Sequence, residues 1–156
     1  SLTLLSGSEE NDARNVEVYS RLVNDAAKLG IPVVGEFFPV FSSELSPDEL
    51  HNQVYASCRI LSEIGCDLIK TFYTNNFREV TGSCPVPVLG LGAEKTPLQL
   101  QALQLANKEI SDGARGVVFG RNAIQVNDPF AFQAALCDVV RNGILPEEAL
   151  RKNNLD

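Results

Sequence analysis

The feature that most constrains this chain is a regular alternation of apolar runs with helical patterns. Residues 2–5, PVVGEFF at 32–38, DLIKTFY at 67–73, PVPVLGL at 85–91 and RGVVFG at 115–120 read as strands. The central ones are continuously apolar rather than alternating, the signature of a parallel sheet with both faces covered by helices. Strand starts recur at roughly 30-residue intervals, the length of a βα unit, with a shorter interval around residues 76–83.

The intervening segments carry helix punctuation. Over residues 16–29, Tyr19, Leu22, Val23, Ala26 and Ala27 recur at helical spacing and Gly30 supplies a stop. Ser46-Pro47 with Glu49 predicts an N-cap, a proline at N1 and a capping box, opening a helix that turns Leu50, Val54, Cys58 and Leu61 inward and ends at Gly65. Thr96-Pro97-Leu98-Gln99 reads as a similar start for a helix to about Ile110, with Gly113 beyond it. Asp128-Pro129 caps a last long helix with Phe132, Ala135, Leu136, Val139 and Val140 on one stripe, and a short helix follows from Pro146. Residues 75–83 read as a connection.

An open doubly wound sheet and a (β/α)8 TIM barrel both predict this pattern. A full barrel needs roughly 250 residues, so 156 residues would hold about five of the eight units. A chain that opens directly on a strand favours the C-terminal part of a barrel, folded as a single domain over 1–156.

Composition narrows the chemistry. With 44% hydrophobic and 21% charged residues, the chain is globular in type. No run approaches the roughly 18 apolar residues of a membrane span. The formal charge of −7, without any basic run, argues against a nucleic-acid surface. Four dispersed cysteines, no CxxC and one histidine make a metal site or a disulfide framework an unsuitable reading, and a reducing cytoplasm is expected. The thiols read as small buried hydrophobes, and His51 as a surface residue.

Lys70 is the residue that asks for a function. In a strand covered on both faces, a lysine must find a partner, reach solvent or lose its proton, because desolvation disfavours the charged form. A neutral amine is a nucleophile toward carbonyl groups. The bland alternative is a lysine at a strand end pointing into water. The next two strands end in LGLGAEK and FGRN, where glycines let backbone N–H groups approach an anion and Arg121 adds a fork suited to phosphate. Gly90, Gly92 and Gly120 could equally be plain turn residues, and Lys95 a solvated side chain ahead of a helix.

Taken together, DLIKTFYT, CPVPVLGLGAEKT and GARGVVFGRNAIQVNDPFAF resemble the class I, Schiff-base aldolase family that includes the archaeal-type fructose-bisphosphate aldolases, within the DeoC–LacD superfamily. The resemblance implies a (β/α)8 barrel of which this chain carries strands four to eight, with Lys70 as the imine-forming residue on strand six. It implies a phosphate site from Gly92, Ala93, Gly120 and Arg121, Ala93 standing where the family usually has a second glycine. It also implies a phosphorylated sugar or ketose as substrate, no cofactor, no metal and a homo-oligomer. Where the family has an acid/base tyrosine, this chain has Phe38, which cannot move a proton. Glu36, on the face of Phe38, and Tyr73, on the opposite face from Lys70, are the candidates to replace it. A thiolase-type relative, using the same lysine on a phosphorylated diketone, and a noncatalytic phosphate-binding barrel are the alternatives.

Overall fold

The computed structural model describes Leu4 and residues 8–39 and 44–155. Its elements alternate in chain order: α1 (Glu9–Lys28), β1 (Val34–Glu36), α2 (Pro47–Ile64), β2 (Leu68–Thr71), α3 (Phe77–Ser83), β3 (Val88–Leu91), α4 (Gln99–Ser111), β4 (Gly116–Val118), α5 (Arg121–Ile124), α6 (Pro129–Asn142) and α7 (Pro146–Lys152). The strand order is β1-β2-β3-β4. β1 and β2 are parallel, in a register that sets Val34 against Leu68, Gly35 against Ile69 and Glu36 against Lys70. A helical crossover between each strand and the next is what parallel neighbours require, so the sheet is the kind from which (β/α) barrels are cut. Four of the five expected strands are described; the run at 2–5 lies outside the described residues apart from Leu4.

The chain divides into two compact units, 1–89 and 90–156, with the division inside β3. In the first, α2 packs on β1, β2 and α3. Its start follows from local chemistry: Ser46 Oγ accepts from the Glu49 N–H at 3.3 Å, and the Glu49 carboxylate accepts from the Ser46 N–H at 2.9 Å. Gly65 ends it with φ 107°, a left-handed conformation that costs a glycine nothing. Val54, Cys58 and Leu61 are buried from this helix, Ile69 from β2, and Phe77 and Val80 from α3. α1 begins with Glu9, Glu10 and Asp12 in its first turn, where carboxylates complement the helix dipole.

Some expectations are corrected here. Of the five apolar residues at helical spacing in α1, Tyr19 and Val23 are buried as expected, but Leu22 and Ala27 face solvent. The segment read as a connection forms α3, because Phe77 and Val80 supply one buried face, over a helix of only 7 residues that leaves a weak periodic signal. Of the cysteines only Cys58 and Cys66 are buried; Cys84 is half-buried and Cys137 exposed.

The second unit is built on α4, which packs against α6, α7 and β4. Ala102, Leu103 and Ala106 meet Phe132, Ala135 and Val139 of α6 and Ala149 of α7. Small residues at most of these positions let the helix backbones approach closely around one phenylalanine. Asp128 caps α6 through the Ala131 N–H at 2.9 Å, and Gly143 closes it at φ 66°. The start of α4 differs from expectation: Leu98, not Thr96, is the residue before its first turn.

Gly90 is a strand residue rather than a turn residue, and its missing Cβ is what Glu109 of α4 occupies. The Glu109 side chain is fully buried there, and neither carboxyl oxygen has a hydrogen-bond partner. Burial alone pushes its carboxyl up to about 8.

Candidate active site

Strand alternation sorts the residues around Lys70. Ile69 and Thr71 point to the helix-covered side and are fully buried. Lys70 and Phe72 point the other way, as do Glu36 and Phe38 from the neighbouring strand. The β1–β2 register places Glu36 directly against Lys70, and Lys70 Nζ lies 2.6 Å from Glu36 Oε1. Both side chains are partly screened from water, at 29% and 21% exposure, so solvent and salt screen their attraction less than that of a surface ion pair of the same length. Two residues further along each strand, the Phe38 and Phe72 rings meet edge to face at 5.4 Å. Among the described residues, the lysine's face therefore presents an amine, a carboxylate and an aromatic wall.

Chemically, this arrangement puts a proton acceptor in direct hydrogen-bonding reach of a primary amine. A carboxylate there can take the proton that an ammonium must shed before it attacks a carbonyl carbon, and can return it later. Tyr73 lies elsewhere: its ring packs on Phe77 of α3, 5.2 Å between centroids, on the side away from Lys70.

His51 is buried, contrary to the sequence expectation of a surface residue. Its Nδ1 lies 2.9 Å from Thr74 Oγ1, and its Nε2 lies 3.3 Å from Glu79 Oε2. It thus ties α2 to the chain leaving β2 and to α3. Its position one turn inside an amphipathic helix was the available signal, but the partners come from residues 23 and 28 positions away.

In the second unit, the chain leaving β3 turns through Gly92 and Ala93. A Cβ at Gly92 would stand 2.9 Å from the Phe119 ring, so a larger residue has no room. Ala93 has φ 46°, in the left-handed region that favours glycine. Gly120 precedes α5 with φ −94° and ψ −89°, and Arg121 is the first residue of that helix. The Arg121 guanidinium donates from Nη2 to the Ala93 carbonyl at 3.0 Å, so the two glycine-bearing turns are fastened to each other. Gly92 is buried, while Ala93, Gly120 and Arg121 are exposed.

Beside these turns Lys95, Thr96, Gln99, Asn122, Gln125 and Asn127 line most of a cavity of 160 Å³. Asn122 escaped the sequence reading. It is buried, and its amide nitrogen donates to the Gly92 carbonyl at 2.7 Å and the Glu94 carbonyl at 2.8 Å. Its signal was adjacency to Arg121 in FGRN, which by itself does not separate a site residue from a helix residue.

Among the described residues no group of three or more His, Cys, Asp or Glu side chains is placed to hold a metal ion. No helix among them is long and apolar enough to cross a membrane.

Residues 1–126 match the family described as DeoC/LacD family aldolase. The chain belongs to that family. It is 32% identical over 143 residues to an uncharacterized aldolase of Pasteurella multocida, covering 90% of this chain and 47% of that protein. To the 3-hydroxy-5-phosphonooxypentane-2,4-dione thiolase of Salmonella typhimurium it is 30% identical, with the same coverage on both sides. This DeoC/LacD chain therefore spans about half the length of the curated relatives it matches. Among solved structures it superposes on an archaeal fructose 1,6-bisphosphate aldolase with TM-score 0.77 at 28% identity, covering 90% of this chain and 57% of the other. Another archaeal fructose-1,6-bisphosphate aldolase, with its catalytic lysine bound to the carbinolamine intermediate, gives TM-score 0.76 at 29% identity, over 88% and 56%.

Proposed function

We propose that this DeoC/LacD-family chain is part of a Schiff-base-forming class I aldolase, a metal-independent carbon–carbon lyase acting on a phosphorylated sugar or related ketose. The observation that carries the reading is the Lys70–Glu36 pair on the face of β1 and β2 away from the packed helices. Lys70 Nζ attacks the ketose carbonyl carbon, and loss of water gives a protonated imine. A base removes the proton of the hydroxyl on the far side of the scissile bond; the bond's electron pair moves into the imine, releasing an aldehyde and leaving an enamine. Protonation of the enamine carbon and hydrolysis free the second product and the amine. Glu36 is the carboxylate in reach of the nitrogen, and takes the role that Phe38 cannot fill. In the same reading Gly92, Ala93, Gly120 and Arg121 are the residues that bind the substrate phosphate, and a held phosphate supplies orientation.

In this reading the chain, 1–156, is a single domain, the C-terminal portion of a (β/α)8 barrel from strand four to strand eight. The active protein is a cytoplasmic homo-oligomer. The likeness to aldolase structures, one with a lysine-bound carbinolamine, supports the assignment of Lys70. Incubation with dihydroxyacetone phosphate and borohydride is expected to add the reduced triose phosphate to the peptide carrying Lys70. Failure of any phosphorylated ketose to give that adduct overturns the proposal, as does loss of turnover on treatment with a chelator.

A second reading has one observation in its favour. Phe38 packs edge to face on Phe72 and presents hydrocarbon where a proton donor would serve aldol cleavage. A thiolase-type acyl transfer from a phosphorylated diketone, begun by the same amine, would use that wall differently. Product analysis with a coenzyme A acceptor separates the two. A noncatalytic barrel would bind phosphate and give no trapped imine.

A further inference from the structure

Asn122 spends its whole amide on one loop. Nδ2 donates to the carbonyls of Gly92 and Glu94, at 2.7 and 2.8 Å, and Oδ1 accepts from the Thr96 N–H at 2.7 Å. Both donors and one acceptor position are thereby filled, in a side chain with 3% exposure. Between the two Asn122-bound carbonyls lies that of Ala93, which accepts from Arg121. Three successive carbonyls, of Gly92, Ala93 and Glu94, are thus drawn toward two adjacent side chains of α5.

The consequence follows from peptide geometry. In a planar trans peptide the C=O and the following N–H point in opposite directions, and none of these bonds is cis. Carbonyls held by the Asn122 and Arg121 side chains fix the planes of these peptides, and with them the directions of the Ala93, Glu94 and Lys95 N–H groups, on an exposed stretch of chain. Successive N–H groups presented by a turn that includes a left-handed residue form a concave anion site, and Ala93 is that residue at φ 46°. An alanine there is strained by about 1 kcal/mol or more, so the turn does not hold itself. Asn122 and Arg121 supply the restraint.

We propose that Asn122 is the positioning residue of the phosphate turn: it commits the Gly92 and Glu94 carbonyls inward and so presents the Ala93, Glu94 and Lys95 N–H groups to a phosphate group. This rests on the phosphate reading above and adds a residue that does not touch the ligand. It also explains why an asparagine is buried beside a glycine: a Cβ at Gly92 would stand 3.2 Å from Asn122 Nδ2 as well as against Phe119.

The test uses the full chain, with Asn122→Ala and the near-isosteric Asn122→Asp, whose second oxygen would face two carbonyls. Titration with inorganic phosphate and with dihydroxyacetone phosphate is expected to show about tenfold weaker binding in both variants, the scale of lost buried hydrogen bonds. Borohydride trapping of unphosphorylated dihydroxyacetone at Lys70 should stay within about twofold, since that reaction uses no phosphate turn. In the unmodified protein, phosphate should shift the backbone amide resonances of residues 93–95. Variants that bind phosphate as tightly as the parent overturn the role of Asn122 and leave the enzymatic reading standing. Equal loss of trapping with the unphosphorylated ketone overturns it too, by marking a general structural role. A parent that forms the Lys70 adduct without phosphate shifting residues 93–95 overturns the phosphate turn itself. If neither variant folds, that amide measurement on the parent decides.

Discussion

Lys70 and Glu36 stand at equivalent heights on neighbouring strands, 2.6 Å apart, so each is in direct reach of the other. Replacing Lys70 by methionine is expected to abolish the borohydride adduct and turnover altogether, read by peptide mass and product assay. Glu36→Gln should keep the adduct, formed more slowly, while turnover falls by about 10²–10³, the usual worth of a positioned acid/base. If turnover in that variant is unchanged, another group moves the proton. Strand alternation alone puts Glu36 with Phe38 on one face and Tyr73 away from Lys70. That Glu36 meets Lys70, and not residue 68 or 72, is a matter of register, and nothing local in either segment specifies it.

At the scale of elements, helix punctuation was readable wherever the capping groups belong to the helix itself. Ser46 with Glu49 and Asp128 ahead of Pro129 cap as their sequences imply, because each bond closes within three residues. Ser46→Ala is expected to cost about 1 kcal/mol of stability, measured by denaturant unfolding. Thr96 looked like the same signal, but Asn122, 26 residues on, takes its N–H and the Leu98 carbonyl accepts from its hydroxyl at 2.9 Å, so α4 starts at Gln99 instead. Tertiary competition also explains Gly90. Its Cβ would fall on the Glu109 carboxyl, so Gly90→Ala should destabilise by about 1–3 kcal/mol, as overpacking does, and by much less when combined with Glu109→Ala. Additive costs in that double-mutant cycle would mean the two residues are not coupled.

For the molecule as a whole, Glu109 sets a pH dependence of stability. Its carboxyl moves from the ordinary 4.5 to about 8 on folding because burial disfavours the charge. Between those values the folded state holds a proton that the unfolded state has released, so stability is fully present below about 4.5 and is lost as pH rises to about 8. Asp138 acts at the other limb. Its carboxylate accepts from Lys152, Asn153 and Asn142, which hold it below the usual range, so its contribution is present above the ordinary 3.8 and lost as pH falls through the lowered value. Thermal unfolding is expected to show a midpoint that declines from about pH 5 to pH 8. Glu109→Met should flatten that decline and raise stability at pH 8. An unchanged slope in the variant would place the dependence on other groups.

The parallel strand–helix alternation, the caps of α2 and α6 and the candidacy of Lys70 came from local information: apolar runs of strand length, capping residues within a turn of their partners, and a lysine inside an apolar strand. These follow from short-range sterics and hydrogen bonding, which a linear pattern encodes. Only the tertiary structure paired Glu36 with Lys70, buried His51 between Thr74 and Glu79, set Glu109 over Gly90, and brought Asn122 to the Gly92–Thr96 loop. Each of those depends on strand register or on helix packing between segments distant in the chain, where the free energy is decided by which surfaces meet.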